Sequence, residues 1–210
     1  MLKDVIPTQS TTKINRVLGN QNANLNPKTT LGHGFFSVVR PDRDPHMVKK
    51  YNQSSWLDDP FNDYINYIIN HNLTHNIYFP KIYNIKTLID SKGKEIKKFT
   101  IEKLIPYTEI RPQELEAILD RCLNMDSVES LNQDYSDSEY LQSVFCNELS
   151  RSFRNNFTKI KDDNLRNALR TIKRIIAESQ GKFSLDFHLE NIMYRRTSKG
   201  IQPVISDPLA

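Results

Sequence analysis

The sequence predicts an α+β protein in two lobes. Three observations carry this. β-type segments crowd the first half, amphipathic helical segments fill most of the second, and the polar cluster Asp186, His188, Glu190 and Asn191 directly precedes an apolar strand-like run. Strands followed by helices imply separate packed layers with a cleft between them. The expected division is an arm over residues 1–28, a strand-rich lobe over 29–105 and a minimal helical lobe over 106–210.

The arm is rich in Asn, Thr and Gln and has little periodicity. After it, TTLGHGFFSVVRP reads as strand, glycine turn and strand, and HMVKKY as a third strand beyond the loop DRDP. DDPFNDYINYIINHN opens with Asp59 as N-cap and Pro60 in the first turn, and carries Phe61, Tyr64, Ile65 and Ile68 on one face, the pattern of a helix. Residues 81–106 read as a hairpin turning at Ser91, Lys92 and Gly93. Three helices follow: RPQELEAILDRCL, a segment around SEYLQSVFCNELSRSF, and DNLRNALRTIKRIIAESQ. A short hairpin around Thr197 to Gly200 closes the chain.

At 210 residues the chain is long enough to bury a core of its own. Hydrophobic residues at 38%, charged ones at 26% and a mean hydropathy of −0.59 leave no apolar run that would span a bilayer. The first residues lack the apolar stretch of a secretion signal, and Cys122 and Cys146 alone make no disulfide framework, so a reducing cytoplasm is expected. Net charge is +4, with Arg151, Arg154, Lys159, Lys161, Arg166, Arg170, Lys173 and Arg174 concentrated in one stretch. A phosphate-backbone footprint would look like this. Leu165, Ala168, Leu169, Ile172, Ile175 and Ile176 recur at helical spacing between those charges, which favours a solvated helix face.

Three stretches carry chemistry. LGHGFFSVV, residues 31–39, has two glycines between strands that let backbone approach a phosphate chain, with Phe36 able to cover it; a plain turn explains the glycines equally well. In VKK, residues 48–50, a lysine on the next strand can reach bound phosphates, although such lysines are often only solvated. In the third stretch, Asp186 and Asn191 stand five residues apart, and Asp207 follows across the last hairpin. A loop carboxylate can orient a nucleophilic hydroxyl while an amide and a second carboxylate hold magnesium against phosphate oxygens. A capped turn would explain one of these residues, not the set.

These stretches resemble the protein-kinase-like superfamily, which includes protein kinases and the aminoglycoside and choline phosphotransferases. LGHGFFSVV is similar to L-G-x-G-x-F-G-x-V, with Ser37 in the third glycine's place; VKK stands at the V-A-I-K position; DFHLEN resembles D-x-x-x-x-N, its His188 closer to the small-molecule phosphotransferases; and SDP, with Asp207, stands at the D-F-G site. FTIEKL resembles the hinge, with Ile101 as gatekeeper. Compact kinases of tailed bacteriophages look similar, which implies a phage origin; a host or viral protein is the expected acceptor, with a small hydroxylated metabolite or a nucleotide as alternatives.

The resemblance implies ATP and Mg as cofactors. It places Leu31, Gly32, Gly34, Phe36, Val39 and Val48 around the nucleotide, the backbone of Glu102 and Leu104 against adenine, and Met193 beneath the ring. Lys50 or Lys49 would meet the α- and β-phosphates, with Lys50 favoured because Val48, two before it, suits the adenine roof. Asn191 and Asp207 would bind the metal and Asp186 would orient the acceptor hydroxyl, while His188 would bind the γ-phosphate or the acceptor, or brace the loop. Several departures matter. Ser184 and Leu185 replace the His and Arg of H-R-D; no glutamate lies on the helix at 60–70, leaving Asp59 or Asp63 as substitutes; and with the sequence ending three residues after Asp207, no activation segment or peptide platform is expected. An inert nucleotide- or partner-binding protein, a small-molecule phosphotransferase and a nucleic-acid module are the rival readings.

Overall fold

Five antiparallel strands in the order β1-β2-β3-β5-β4 build the first of two units. The structure is a computed structural model and describes residues 31–33, 37–53, 59–90, 93–124 and 137–210. The strands are β1 (Gly32–His33), β2 (Ser37–Pro41), β3 (Met47–Gln53), β4 (Ile82–Ile89) and β5 (Glu95–Glu102). The β2–β3 connection falls on DRDP, where the Asp44 carboxylate accepts from the His46 N–H at 2.8 Å. The β4–β5 connection closes with Asp90 and Lys94 paired and Gly93 at φ +78°, a conformation that strains any side chain. Ser91 and Lys92 lie outside the described residues.

The second unit holds α1 (Pro60–Asn70), α2 (Pro112–Cys122), α3 (Ser138–Arg154), α4 (Asp163–Glu178) and the hairpin β6 (Ile192–Thr197) and β7 (Gly200–Ile205). The protein is therefore α+β. Asp137 caps α3 by accepting from the Tyr140 N–H at 2.7 Å, and Asp162 caps α4 through the Leu165 N–H at 3.0 Å. Pro112 opens α2 in the first turn, where a missing N–H costs nothing. On α4, Leu165, Ala168, Leu169, Ile172 and Ile175 are buried and Ile176 only half-buried. Each large aliphatic side chain removed from water there contributes about 1.5–3 kcal/mol.

The chain's division differs from a single boundary near residue 105. Residues 60–80 group with the second unit, while Lys81–Lys103 return to the first. Within the second unit the fully buried Tyr64 of α1 donates its hydroxyl to the Ile205 carbonyl at 2.8 Å and meets the Phe79 ring edge-on at 5.9 Å. The Arg195 guanidinium donates to the carbonyls of Ile77 and Phe79, both at 3.0 Å. These long-range bonds fix α1 and its following loop to the β6–β7 hairpin. Among the described residues no helix is long and apolar enough to cross a membrane.

Candidate functional site

The register of the first unit sorts its candidate residues by face, because residues directly opposite in an antiparallel ladder point the same way. Val39 lies opposite Lys50, Val48 opposite Ile101, and Gly32 opposite Val39. Gly32, Val39, Val48, Lys50 and Ile101 thus share one face of the sheet. Val48 and Lys50 are both buried, at 6% and 8% exposure. Lys49 stands on the other face, opposite Arg40 and Thr100. Its ammonium lies 3.0 Å from the Asp42 carboxylate and, chiefly through that hydrogen bond, holds the carboxyl below its usual range. The same face carries Lys98, whose pKa is lowered by burial and then by the charges of Lys49 and Lys86.

Asn52, two residues beyond Lys50 on the same face, donates its amide to both Asp59 carboxylate oxygens at 3.1 Å. Leu31 is exposed, its N–H bound to the Val39 carbonyl at 2.9 Å. Gly34 and Phe36 lie outside the described residues. Glu102 is buried, accepting the Lys81 N–H on its carboxylate at 2.8 Å and donating its own N–H to the Lys81 carbonyl.

In the second unit the polar cluster forms one connected array. The Asn191 amide nitrogen donates to the Asp186 backbone carbonyl at 2.9 Å and to its carboxylate at 3.0 Å. Two strands of backbone then draw Asp207 in. The Asp186 N–H donates to the Pro208 carbonyl at 2.8 Å, and both the N–H and the hydroxyl of Ser206 donate to the Asn191 carbonyl. Asp207 lies between these two anchors and is half-buried. The hydroxyl pKa of Tyr64 is raised well above the usual range, by burial first and by the Asp207 charge second.

His188 is half exposed, its Nε2 3.5 Å from the Asp186 carboxylate and its Nδ1 accepting the Glu190 N–H at 3.3 Å. Both ring nitrogens thus have partners within the loop. Met193 is half-buried on β6 opposite Val204. The Leu104 N–H meets no acceptor among the described residues.

The donor set suits a hard cation. With the Asn191 nitrogen turned to Asp186, its amide oxygen is left without a hydrogen-bond donor among the described residues, and Asp207 would supply a carboxylate. Among the described residues no three His, Cys, Asp or Glu side chains gather to hold a metal by themselves. Magnesium here would complete its shell from phosphate oxygens and water, its ordinary habit.

One supporting residue escaped the sequence reading. Gln142 of α3 is fully buried, and its amide nitrogen donates to the carbonyls of Leu189 at 2.8 Å and Ile192 at 2.9 Å, bracketing Asn191. Its oxygen accepts the hydroxyl of the buried Tyr194. The available signal was its place on the stripe that Phe145, Leu149 and Ser152 continue, where a polar side chain needs buried partners. No family model matches the chain, and no curated protein matches it.

Proposed function

We propose that this chain is an ATP- and magnesium-dependent phosphotransferase of two-lobed, protein-kinase-like architecture, moving the γ-phosphate to a hydroxyl, most simply on a protein. The observation that carries the reading is the array in which Asp186, Asn191 and the segment holding Asp207 are bound to one another. A capped turn has no need of a third residue 16 positions on. Lys50 contacts the α- and β-phosphates; its burial on the face of Val39 and Val48 supports it over Lys49, which is committed to Asp42. Asp59, tied to Asn52, fills the place of the absent helix glutamate.

In this mechanism the acceptor hydroxyl oxygen forms a bond to the γ-phosphorus as the bond to the β,γ-bridging oxygen breaks, and ADP leaves. Asp186 accepts the hydroxyl proton late. Asn191 keeps that carboxylate aimed while its own oxygen faces the metal, and His188 braces the loop. Bound magnesium would neutralise charge developing on the phosphate oxygens. Incubation with γ-labelled ATP, magnesium and host lysate tests the reading: protein-bound label supports it, label in small molecules moves the acceptor to a metabolite, and the absence of any transferred label favours the inert binder.

A further inference from the structure

The cationic stretch over residues 151–174 takes no part in the array around Asp186, yet the fold places it one aromatic ring away. Phe187, between Asp186 and His188, meets the Phe153 ring of α3 edge-on with centroids 6.2 Å apart. Phe153 meets Phe157 at 5.9 Å, and the Lys173 ammonium of α4 lies 5.8 Å and 5.5 Å from those two rings. Lys173 also donates to the Phe153 carbonyl at 3.5 Å and to the Asn156 side-chain oxygen at 3.3 Å. The exposed Lys173 thus adjoins the last turn of α3, and the exposed Arg170 and Arg174 flank it along α4. On α3 itself, Asn147, Ser150, Arg151, Arg154 and the following Asn155 line an open depression of about 460 Å³.

Three other cations of the stretch pair with carboxylates within the fold, and Lys161 donates to the Asp120 backbone carbonyl. The buried Glu148 pairs with Arg151 and Lys159, and Asp163 pairs with Arg166. Arg154, Arg170, Lys173 and Arg174 meet no carboxylate among the described residues. The dipole of α3 accounts for a cation in its last turn. It does not account for Arg170 and Arg174, like charges one turn apart in α4 that repel each other. The backbone beneath is strained as well: Asn156 and Phe157 sit at φ 53° and 64°, and a phenylalanine rarely adopts that conformation.

We infer that this surface docks an acidic segment of a polypeptide acceptor and so presents its hydroxyl to Asp186. The inference rests on the phosphotransferase reading and names its substrate class. Arginine forks pair bidentately with side-chain carboxylates, and a depression of this size takes one or two such groups. Single-stranded nucleic acid fits less well. It needs open aromatic faces for stacking, whereas Phe153 is engaged by Phe157, Phe187 and Lys173.

The test measures anisotropy of labelled serine peptides, flanked by glutamate, by glutamine or by lysine, and of a single-stranded oligonucleotide, on the full chain without nucleotide. The glutamate peptide should bind at least about tenfold tighter than the glutamine peptide and weaken steeply with salt. The double variant Arg154→Glu, Arg174→Glu should lose at least about fivefold, with its melting temperature shift by Mg-ATP unchanged. Arg170→Gln with Arg174→Gln serves as a milder second variant, with a loss of about twofold or more. Equal binding of the glutamate and glutamine peptides, binding unaffected in both variants, or tighter binding of the oligonucleotide would overturn the inference. Transfer from γ-labelled ATP is read separately. Docking without transfer contradicts the phosphotransferase reading alone, and equal transfer to the glutamate and glutamine peptides contradicts the docking surface alone.

Discussion

Asn191 directs its side-chain nitrogen at Asp186, donating to the backbone carbonyl at 2.9 Å and to the carboxylate at 3.0 Å. One amide therefore aims the proposed base and turns its own oxygen outward. Asp186→Ala should abolish phosphoryl transfer while ATP affinity stays within a small factor of the parent, because that carboxylate acts on the acceptor. Asn191→Ala should lower transfer and also raise the magnesium concentration needed for half-maximal activity, a double effect that steady-state kinetics over a magnesium series separates. Equal transfer by Asp186→Ala and the parent would refute the assignment.

Lys50 and Lys49 occupy opposite faces of β3, so their substitutions should separate. Lys50→Met is expected to cost about tenfold or more in transfer, since a charge on phosphate in a water-poor site contributes on the order of kilocalories. Lys49→Met loses a partly exposed pair with Asp42 and should change activity little. Rates at saturating and at low ATP decide between them. A larger loss for Lys49→Met would reverse the functional facing of the strand.

Much of this was legible because strands and helices write their periods into the chain. Alternation along HMVKKY separates Lys50 from Lys49, and Asp59-Pro60 with Phe61, Tyr64, Ile65 and Ile68 marks α1 and its buried face. What stayed hidden depends on distant pairing. Nothing local in α1 says that Tyr64 bonds Ile205, 141 residues away, and groups the helix with the second unit. The contact between Phe153 and Phe187, which brings the basic stretch beside the Asp186 loop, has no local signature either. Gly34 and Phe36 lie outside the described residues, so the glycine-loop expectation rests on Leu31, Gly32 and Val39.

The buried Gln142 makes three hydrogen bonds around the segment that carries Asn191, two of them fully buried. Gln142→Leu would leave two carbonyls and a tyrosine hydroxyl without their partner, and should destabilise the fold by about 2–4 kcal/mol. Tyr194→Phe removes only one bond and should cost about 1 kcal/mol. Urea unfolding of both variants checks the ranking. If the amide positions Asn191, Gln142→Leu also weakens magnesium dependence under conditions where it remains folded, whereas Tyr194→Phe does not.

The most direct test of the central claim is a calorimetric titration of ATP into the full chain, with and without magnesium, repeated on Asp207→Ala. A metal held by Asn191 and Asp207 against nucleotide phosphates requires ATP to bind more tightly with magnesium in the parent, and most of that gain to vanish in the variant. ATP affinity that is undetectable, or the same with and without magnesium in the parent, would contradict the account.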